Sequence, residues 1–280
     1  MYVAMEHYVV CDIHGEEKGL EMIRNAGFTG VDYHFVSPAG IERLADGYMD
    51  RAVVTKKILD RIGLTCVQSH APFVYRYEHG PWENHPMWVD IHRSIEYAAY
   101  LGARQIIIHP VNVPQDMDFL DYNVSYFRSF EPAAEKFGIN IAIENGGSNA
   151  QAINDLVECL DSPRFVICVD VGHANAPAKG YFVEDFMAQI NLDKVEALHL
   201  NSNFGLYDHK TDLHYLPYLG NMNWEAILKA LAQGNYQGDM TMEIVGHVRD
   251  LPPEVHPEAL ALASAIGRHL VRKFEEYKRP

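Results

Sequence analysis

Lysine and arginine are scarce and form no run longer than two: 23 of them stand against 38 acidic residues, a formal net charge of −15 over 280 residues. A nucleic-acid binder draws much of its affinity from neutralising phosphates, so this balance argues against DNA or RNA as a partner. No apolar stretch approaches the roughly 18 residues of a membrane span, which argues against a membrane protein. The opening MYVAMEHYVV has neither a basic n-region nor an h-region, and no secretory signal is read from it. Cysteine is sparse, at Cys11, Cys66, Cys159 and Cys168, with no C-x-x-C spacing. Three of the four lie in apolar strand-like runs, where a reduced thiol behaves as a small hydrophobe, and a reducing cytoplasm is the expected location. No G-x-G-x-x-G follows the first strand-like run, which makes a doubly wound open sheet the weaker architecture.

What is present is a regular alternation of short β-rich runs with longer segments of helical period. The strand candidates are 8–13, 30–35, 65–73, 105–110, 140–145, 165–173, 195–203 and 238–244. Helix candidates fall between and after them at 16–26, 50–62, 87–101, 119–137, 150–160, 183–190, 224–232 and 257–277. Several helices end on a glycine just before the next strand, as at Gly63, Gly102 and Gly138, where a left-handed cap turns the chain back. Runs such as IIIH, IAIE and VICVD are apolar at odd and even positions alike, as strands buried on both faces require. Eight such units without a linker predict one α/β domain over residues 1–280, a (β/α)8 TIM barrel.

In that fold the reactive groups gather at the C-terminal ends of the strands. Six consecutive strand candidates, third to eighth, finish on a metal-ligand type: His70, His109, Glu144, Asp170 with His173, His199 and Glu243. Singly, each reads as readily as a hydrogen-bonded rim residue. As a set they do not, because Glu144 and Glu243 follow apolar strands where an unpaired carboxylate is costly unless a cation neutralises it. Carboxylates and imidazoles converging from separate strands build divalent-metal sites. Asp212 and His214 join the set from KTDLHYLPYLGNMNW.

The order His, His, Glu, Asp-x-x-His, His, Asp-x-His, Glu, running from SHAPF to MEIVG, resembles the xylose isomerase-like barrel superfamily. That superfamily holds sugar isomerases and epimerases and also the endonuclease IV type of apurinic-site nuclease. The resemblance implies a single divalent metal, Mn2+, Co2+ or Zn2+ with Mg2+ as a further candidate, held by Glu144, Asp170, His199 and Glu243. It places His173, with His70, His109, Asp212 and His214, among substrate-binding groups. In nuclease members the corresponding nine positions hold three zinc ions, and all nine are filled here with suitable residues, so ligand type alone does not separate the activities.

The sequence also departs from the family pattern. Where relatives carry L-P-x-G-x-G, this chain has LPYLGNMNW, so Tyr218 replaces the first glycine and Gly220 remains. Tyr218 either narrows the approach to a ligand or packs against the rim. The loop after the third strand is aromatic, with Tyr75, Tyr77, Trp82 and Trp88, and reads equally as a sugar-stacking wall, a self-packed lid or a subunit contact.

The implied activity is isomerisation or epimerisation of a sugar, polyol or keto-sugar. The metal would stabilise an enediolate, and Glu144 and Glu243 would move the proton as acid and base. A dehydratase or lyase is a close variant of the same apparatus. A zinc phosphodiesterase acting on abasic DNA and a non-catalytic sugar-binding module are the alternatives. The expected partner is a small carbohydrate or polyol, and family members are often homo-oligomers.

Overall fold

A computed structural model describes residues 1–73, 82, 85 and 87–279. Eight parallel strands form the barrel: β1 (Val3–Glu6), β2 (Gly30–His34), β3 (Thr65–His70), β4 (Gln105–Ile108), β5 (Asn140–Glu144), β6 (Phe165–Asp170), β7 (Val195–His199) and β8 (Met240–Met242). They hydrogen-bond in the order β7-β6-β5-β4-β3-β2-β1-β8. The seam between β7 and β8 is joined just past the strand ends, where Leu200 N donates to the Thr241 carbonyl (2.9 Å) and Glu243 N to the Leu200 carbonyl (3.2 Å). The sheet is thus a (β/α)8 barrel.

The helices are α1 (Tyr8–His14), α2 (Glu16–Asn25), α3 (Pro38–Glu42), α4 (Tyr48–Ile62), α5 (Trp88–Leu101), α6 (Phe119–Arg128), α7 (Glu131–Phe137), α8 (Ala150–Leu160), α9 (Val183–Gln189), α10 (Trp224–Gln233), α11 (Val245–Arg249) and α12 (His256–Lys278). The expected cap glycines hold: α4, α5 and α7 end on Gly63, Gly102 and Gly138 at φ of 68°, 94° and 69°. Among the described residues no helix is long and apolar enough to cross a membrane.

Two elements differ from expectation. Tyr8–His14 is helix α1, which buries Val9, Val10 and Cys11, and the first strand is Val3–Glu6. The β-branched run Val9-Val10 favours a strand locally, but pairing of Val3–Glu6 with β2 and β8 decides the outcome. Cys11 therefore lies on a helix, and Cys159 is exposed on α8, while Cys66 and Cys168 are buried strand residues. The expected helix 119–137 is two helices, α6 and α7. Pro132 has no N–H to continue the ladder, and the Ser129 hydroxyl donates back to the Tyr126 carbonyl at 2.6 Å.

The two-residue strand period sorts side chains into two apolar cores. Val31, Tyr33, Ile106, Ile108, Ile141, Ile143, Ile167 and Val169 join the helices in one large core. Ile107, Ala142, Val166, Cys168 and Ala197 form a separate small core, the barrel interior. Polar side chains complete that interior. Thr241 donates to Gln68 Oε1 (3.3 Å), and Gln68 Nε2 donates to Asp32 Oδ2 (2.7 Å). Register shifts at Val31/Asp32 against β3 and at Ile167/Cys168 against β7 bring Asp32 level with Gln68, His34 with His70, and Asp170 with His199. The alignment aims three rows of polar side chains at one end.

Candidate metal centre

Strands β3, β6 and β7 stop at His70, Asp170 and His199, short of the longer runs expected. All nine residues named from the sequence meet at this end. Seven of them (His70, His109, Glu144, His173, Asp212, His214 and Glu243) line one cavity of about 740 Å³, and Asp170 and His199 lie fully buried beneath it.

Glu144 is the hub. Its Oε2 lies 3.0 Å from His109 Nε2, 3.2 Å from His199 Nδ1 and 3.3 Å from His70 Nε2, and its Oε1 is 3.1 Å from His173 Nδ1. Glu243 approaches the same ring from β8, with Oε2 at 3.4 Å from His199 Nδ1 and 3.2 Å from His214 Nδ1. Asp212 bridges the remaining pair, Oδ2 at 3.2 Å from His173 Nε2 and Oδ1 at 3.0 Å from His214 Nε2. Asp170 is held by backbone and amide groups: Oδ1 accepts from His173 N (2.7 Å) and Oδ2 from Asn201 Nδ2 (2.8 Å). Asn145 exchanges two hydrogen bonds with the Asp170 backbone, at 2.7 and 3.0 Å. A Cβ on Gly172 would fall 1.9 Å from Asn201 Oδ1 and displace the amide that holds Asp170 Oδ2.

Carboxylates and imidazoles in this cluster shift one another strongly. Burial alone would raise the carboxyls of Glu144 and Glu243. Instead His109 and His199 hold Glu144 well below the usual carboxylate range, and His199 and His214 do the same for Glu243. Conversely, burial should keep His173, His199 and His214 neutral, yet Asp170 and Asp212 raise His173, Glu243 and Asp212 raise His214, and Cys168 with Glu243 and Glu144 raises His199. Burial pushes Asp170 up, against the pull of His173 and His214.

The donor set fits a divalent cation. Asp170, His199 and Glu243 each present a ligand atom within 4.8 Å of the other two, and so do His70, Glu144 and His199, and Asp170, His173 and His214. Glu144 Oε2 and His199 Nδ1 are buried and close together, yet neither makes a hydrogen bond. Donor atoms that crowd one point without bonding each other are what a cation collects. A mixed set of carboxylates and imidazoles is one that divalent metals accept.

Sequence reasoning missed the floor of the site. Asp32 and His34 of β2 are fully buried, with His34 Nε2 3.1 Å and His199 Nε2 3.0 Å from Asp32 Oδ2. Glu6 of β1 is buried too and accepts from Ile244 N at 3.1 Å. The signal was available, since GVDYH puts an acid and an imidazole at alternate positions of an apolar strand, as IAIE does for Glu144. The aromatic candidates resolve toward packing. Tyr218 adopts φ 75° and lies against Trp224 and His269 at ring separations of 5.7 and 5.9 Å, outside the cavity lining. Trp82 and Trp88 sit 5.9 Å apart and donate to Ser125 and Ser129. Tyr75 and Tyr77 lie outside the described residues.

The family model described as a xylose isomerase-like TIM barrel matches residues 20–266. The uncharacterized protein y4fM of Sinorhizobium fredii is 26% identical over 263 residues, covering 82% of this chain and 81% of that one. Among solved structures, a D-tagatose 3-epimerase-like protein superposes with a TM-score of 0.72 at 21% identity, over 99% of this chain and 98% of the other. An L-ribulose 3-epimerase gives a TM-score of 0.70 at 16% identity, over 99% of this chain and 96% of the other. An IOLI protein with a bound zinc atom gives 0.73 at 15% identity over the whole of both chains. Those identities show a shared fold. With the match over residues 20–266, the chain belongs to the xylose isomerase-like TIM barrel family.

Proposed function

We infer that the chain is a single-domain, divalent-metal-dependent isomerase or epimerase acting on a sugar, polyol or keto-sugar. The observation that carries this reading is the convergence of Glu144 and Glu243 on one nitrogen, His199 Nδ1, at 3.2 and 3.4 Å from β5 and β8. Glu144, Asp170, His199 and Glu243 would hold the cation. When bound, it would stabilise negative charge developing on adjacent substrate oxygens.

The protein's own groups do the rest. One glutamate takes a proton from carbon, and the other returns a proton to the opposite face or to the neighbouring position. His70, His109 and His173 present imidazole nitrogens to the two oxygens of Glu144 and can hand substrate hydroxyls a donor or an acceptor. Both glutamates line the cavity yet are almost fully buried, which limits the access of competing water to the transferred proton. Neighbouring structures named as epimerases support this chemistry. A β-elimination of water is a variant of the same proton abstraction.

Phosphodiester cleavage at abasic DNA is the second reading, favoured by the assembly of all nine ligand-type residues at one mouth. The charge of −15 opposes it. The test is metal-loaded protein incubated in D2O with a panel of ketoses, aldoses and cyclic polyols or their keto forms, read by NMR for deuterium at carbon. A parallel arm offers duplex DNA with one abasic site. Carbon-bound deuterium or a new epimer supports the proposal; incision of the DNA with no exchange on any sugar overturns it.

A further inference from the structure

The geometry points to Asp32 as the positioning residue that makes His199 a ligand through Nδ1. This rests on the metal reading of the site and goes beyond it, because Asp32 touches neither cavity nor substrate.

Asp32 lies at the bottom of the barrel mouth with no exposed surface. Its Oδ2 already accepts from Gln68 Nε2 at 2.7 Å, and a carboxylate offers its neighbours acceptors rather than donors. His199 Nε2 stands 3.0 Å from Asp32 Oδ2 in hydrogen-bond geometry, and therefore Nε2 carries the proton and donates it. The other ring nitrogen, Nδ1, faces Glu144 Oε2 and Glu243 Oε2 at 3.2 and 3.4 Å without a hydrogen bond. A ring pinned at Nε2 offers Nδ1 to the cation and cannot turn over.

Asp32 is itself tethered. Gln68 Nε2 donates to Asp32 Oδ2 (2.7 Å) and to the Leu198 carbonyl (3.3 Å), while Thr241 Oγ1 donates to Gln68 Oε1 (3.3 Å). Thr241 and Leu198 belong to β8 and β7, the strands that carry Glu243 and His199 to the site. The line Thr241–Gln68–Asp32–His199 thus crosses the barrel interior under the proposed ligands and fixes one of them by angle. His34, whose Nε2 is 3.1 Å from Asp32 Oδ2, packs its ring 5.8 Å from that of His199 and blocks rotation from the side.

The test compares Co2+ binding to the wild-type chain, Asp32→Asn, Gln68→Leu, His199→Gln and the double variant Asp32→Asn/His199→Gln. Calorimetry gives affinity, Co2+ d–d absorption gives ligand geometry, and thermal melts without metal report folding. The expected result is a loss of roughly 10- to 100-fold in Co2+ affinity for Asp32→Asn, with a shifted absorption band. Gln68→Leu should shift the same band with a smaller affinity loss, and it carries the test if Asp32→Asn fails to fold. In the His199→Gln background the Asp32 effect should vanish. Unchanged affinity and spectrum in Asp32→Asn, or an equal Asp32 effect in the absence of His199, overturns the proposal alone. No Co2+ uptake by wild-type protein overturns it together with the metal reading.

Discussion

His109 Nε2 stands 3.0 Å from Glu144 Oε2, the oxygen that His70 and His199 also approach. One carboxylate oxygen therefore gathers imidazoles from β3, from β7 and from the residue just past β4. Replacing Glu144 by Gln removes both the charge that organises these rings and the basicity that proton transfer needs. We expect Glu144→Gln to lower carbon–deuterium exchange by at least about 10²-fold. Glu243→Gln should do the same. The check is single-turnover exchange at saturating metal, so that weakened binding is separated from lost proton transfer. Near-wild-type exchange in both variants would remove the two glutamates from the chemistry.

Cation binding should be visible as stability. A ligand that binds only the folded chain at 100 times its Kd adds about 2.7 kcal/mol. Chelation of metal-loaded protein should lower Tm, and adding back Mn2+, Co2+ or Zn2+ should restore it. Asp170→Asn should abolish the metal-dependent increment while the metal-free melt changes little. A Tm indifferent to chelator and metal would contradict the site.

Gly246, in the first turn of α11, supports the loop that carries Asp212 and His214. A Cβ there would lie 1.9 Å from the Leu213 carbonyl oxygen, a backbone atom that cannot swing aside. His214 already adopts φ 46° and sets Nδ1 3.2 Å from the Glu243 carbonyl. Gly246→Ala should cost about 1–3 kcal/mol of stability in urea melts, as overpacking does. It should also displace His214, which a crystal structure of the variant would show directly. An unshifted loop with full stability would mean that α11 moves freely.

Acid should act through His7. Burial holds its ring down to about 3, against an ordinary value near 6.5, while Nδ1 accepts from His34 N at 3.2 Å and the ring stacks on Tyr33. The folded chain thus keeps His7 neutral where the unfolded chain protonates it. The associated stability is complete above about pH 6.5 and falls by roughly 1.4 kcal/mol per pH unit from there toward pH 3. His7→Gln should flatten the acid limb of stability against pH by about one proton over that window. An unchanged slope would place the acid sensitivity elsewhere.

The barrel was legible because its strands are buried on both faces and its helices end on glycine, two signals that need no knowledge of neighbours. The nine ligand-type residues were legible because strand ends are where this fold exposes chemistry. The first strand was not, because Val3–Glu6 has four buried residues and no alternation, and its partners lie at residues 30–32 and 240–242. Asp32 and His34 do not read as strand-end ligands because the run 30–35 finishes on Phe35 and holds the acid and the imidazole inside it. Tyr218 was ambiguous since only tertiary packing reveals that its ring turns to Trp224 and His269.

Glu243 follows β8, which pairs with β1 and meets β7 at the seam. During synthesis the nascent chain exposes His70, His109 and Glu144 long before that strand leaves the ribosome. Until it does, β1 and β7 are open edges able to pair with other chains. The final carboxylate and the final strand arrive together, so an incomplete chain can neither hide its edges nor assemble a full ligand sphere. Tight capture of a cation would therefore mark a chain that has passed β8, and ribosome-stalled fragments short of residue 243 should be more aggregation-prone than longer ones.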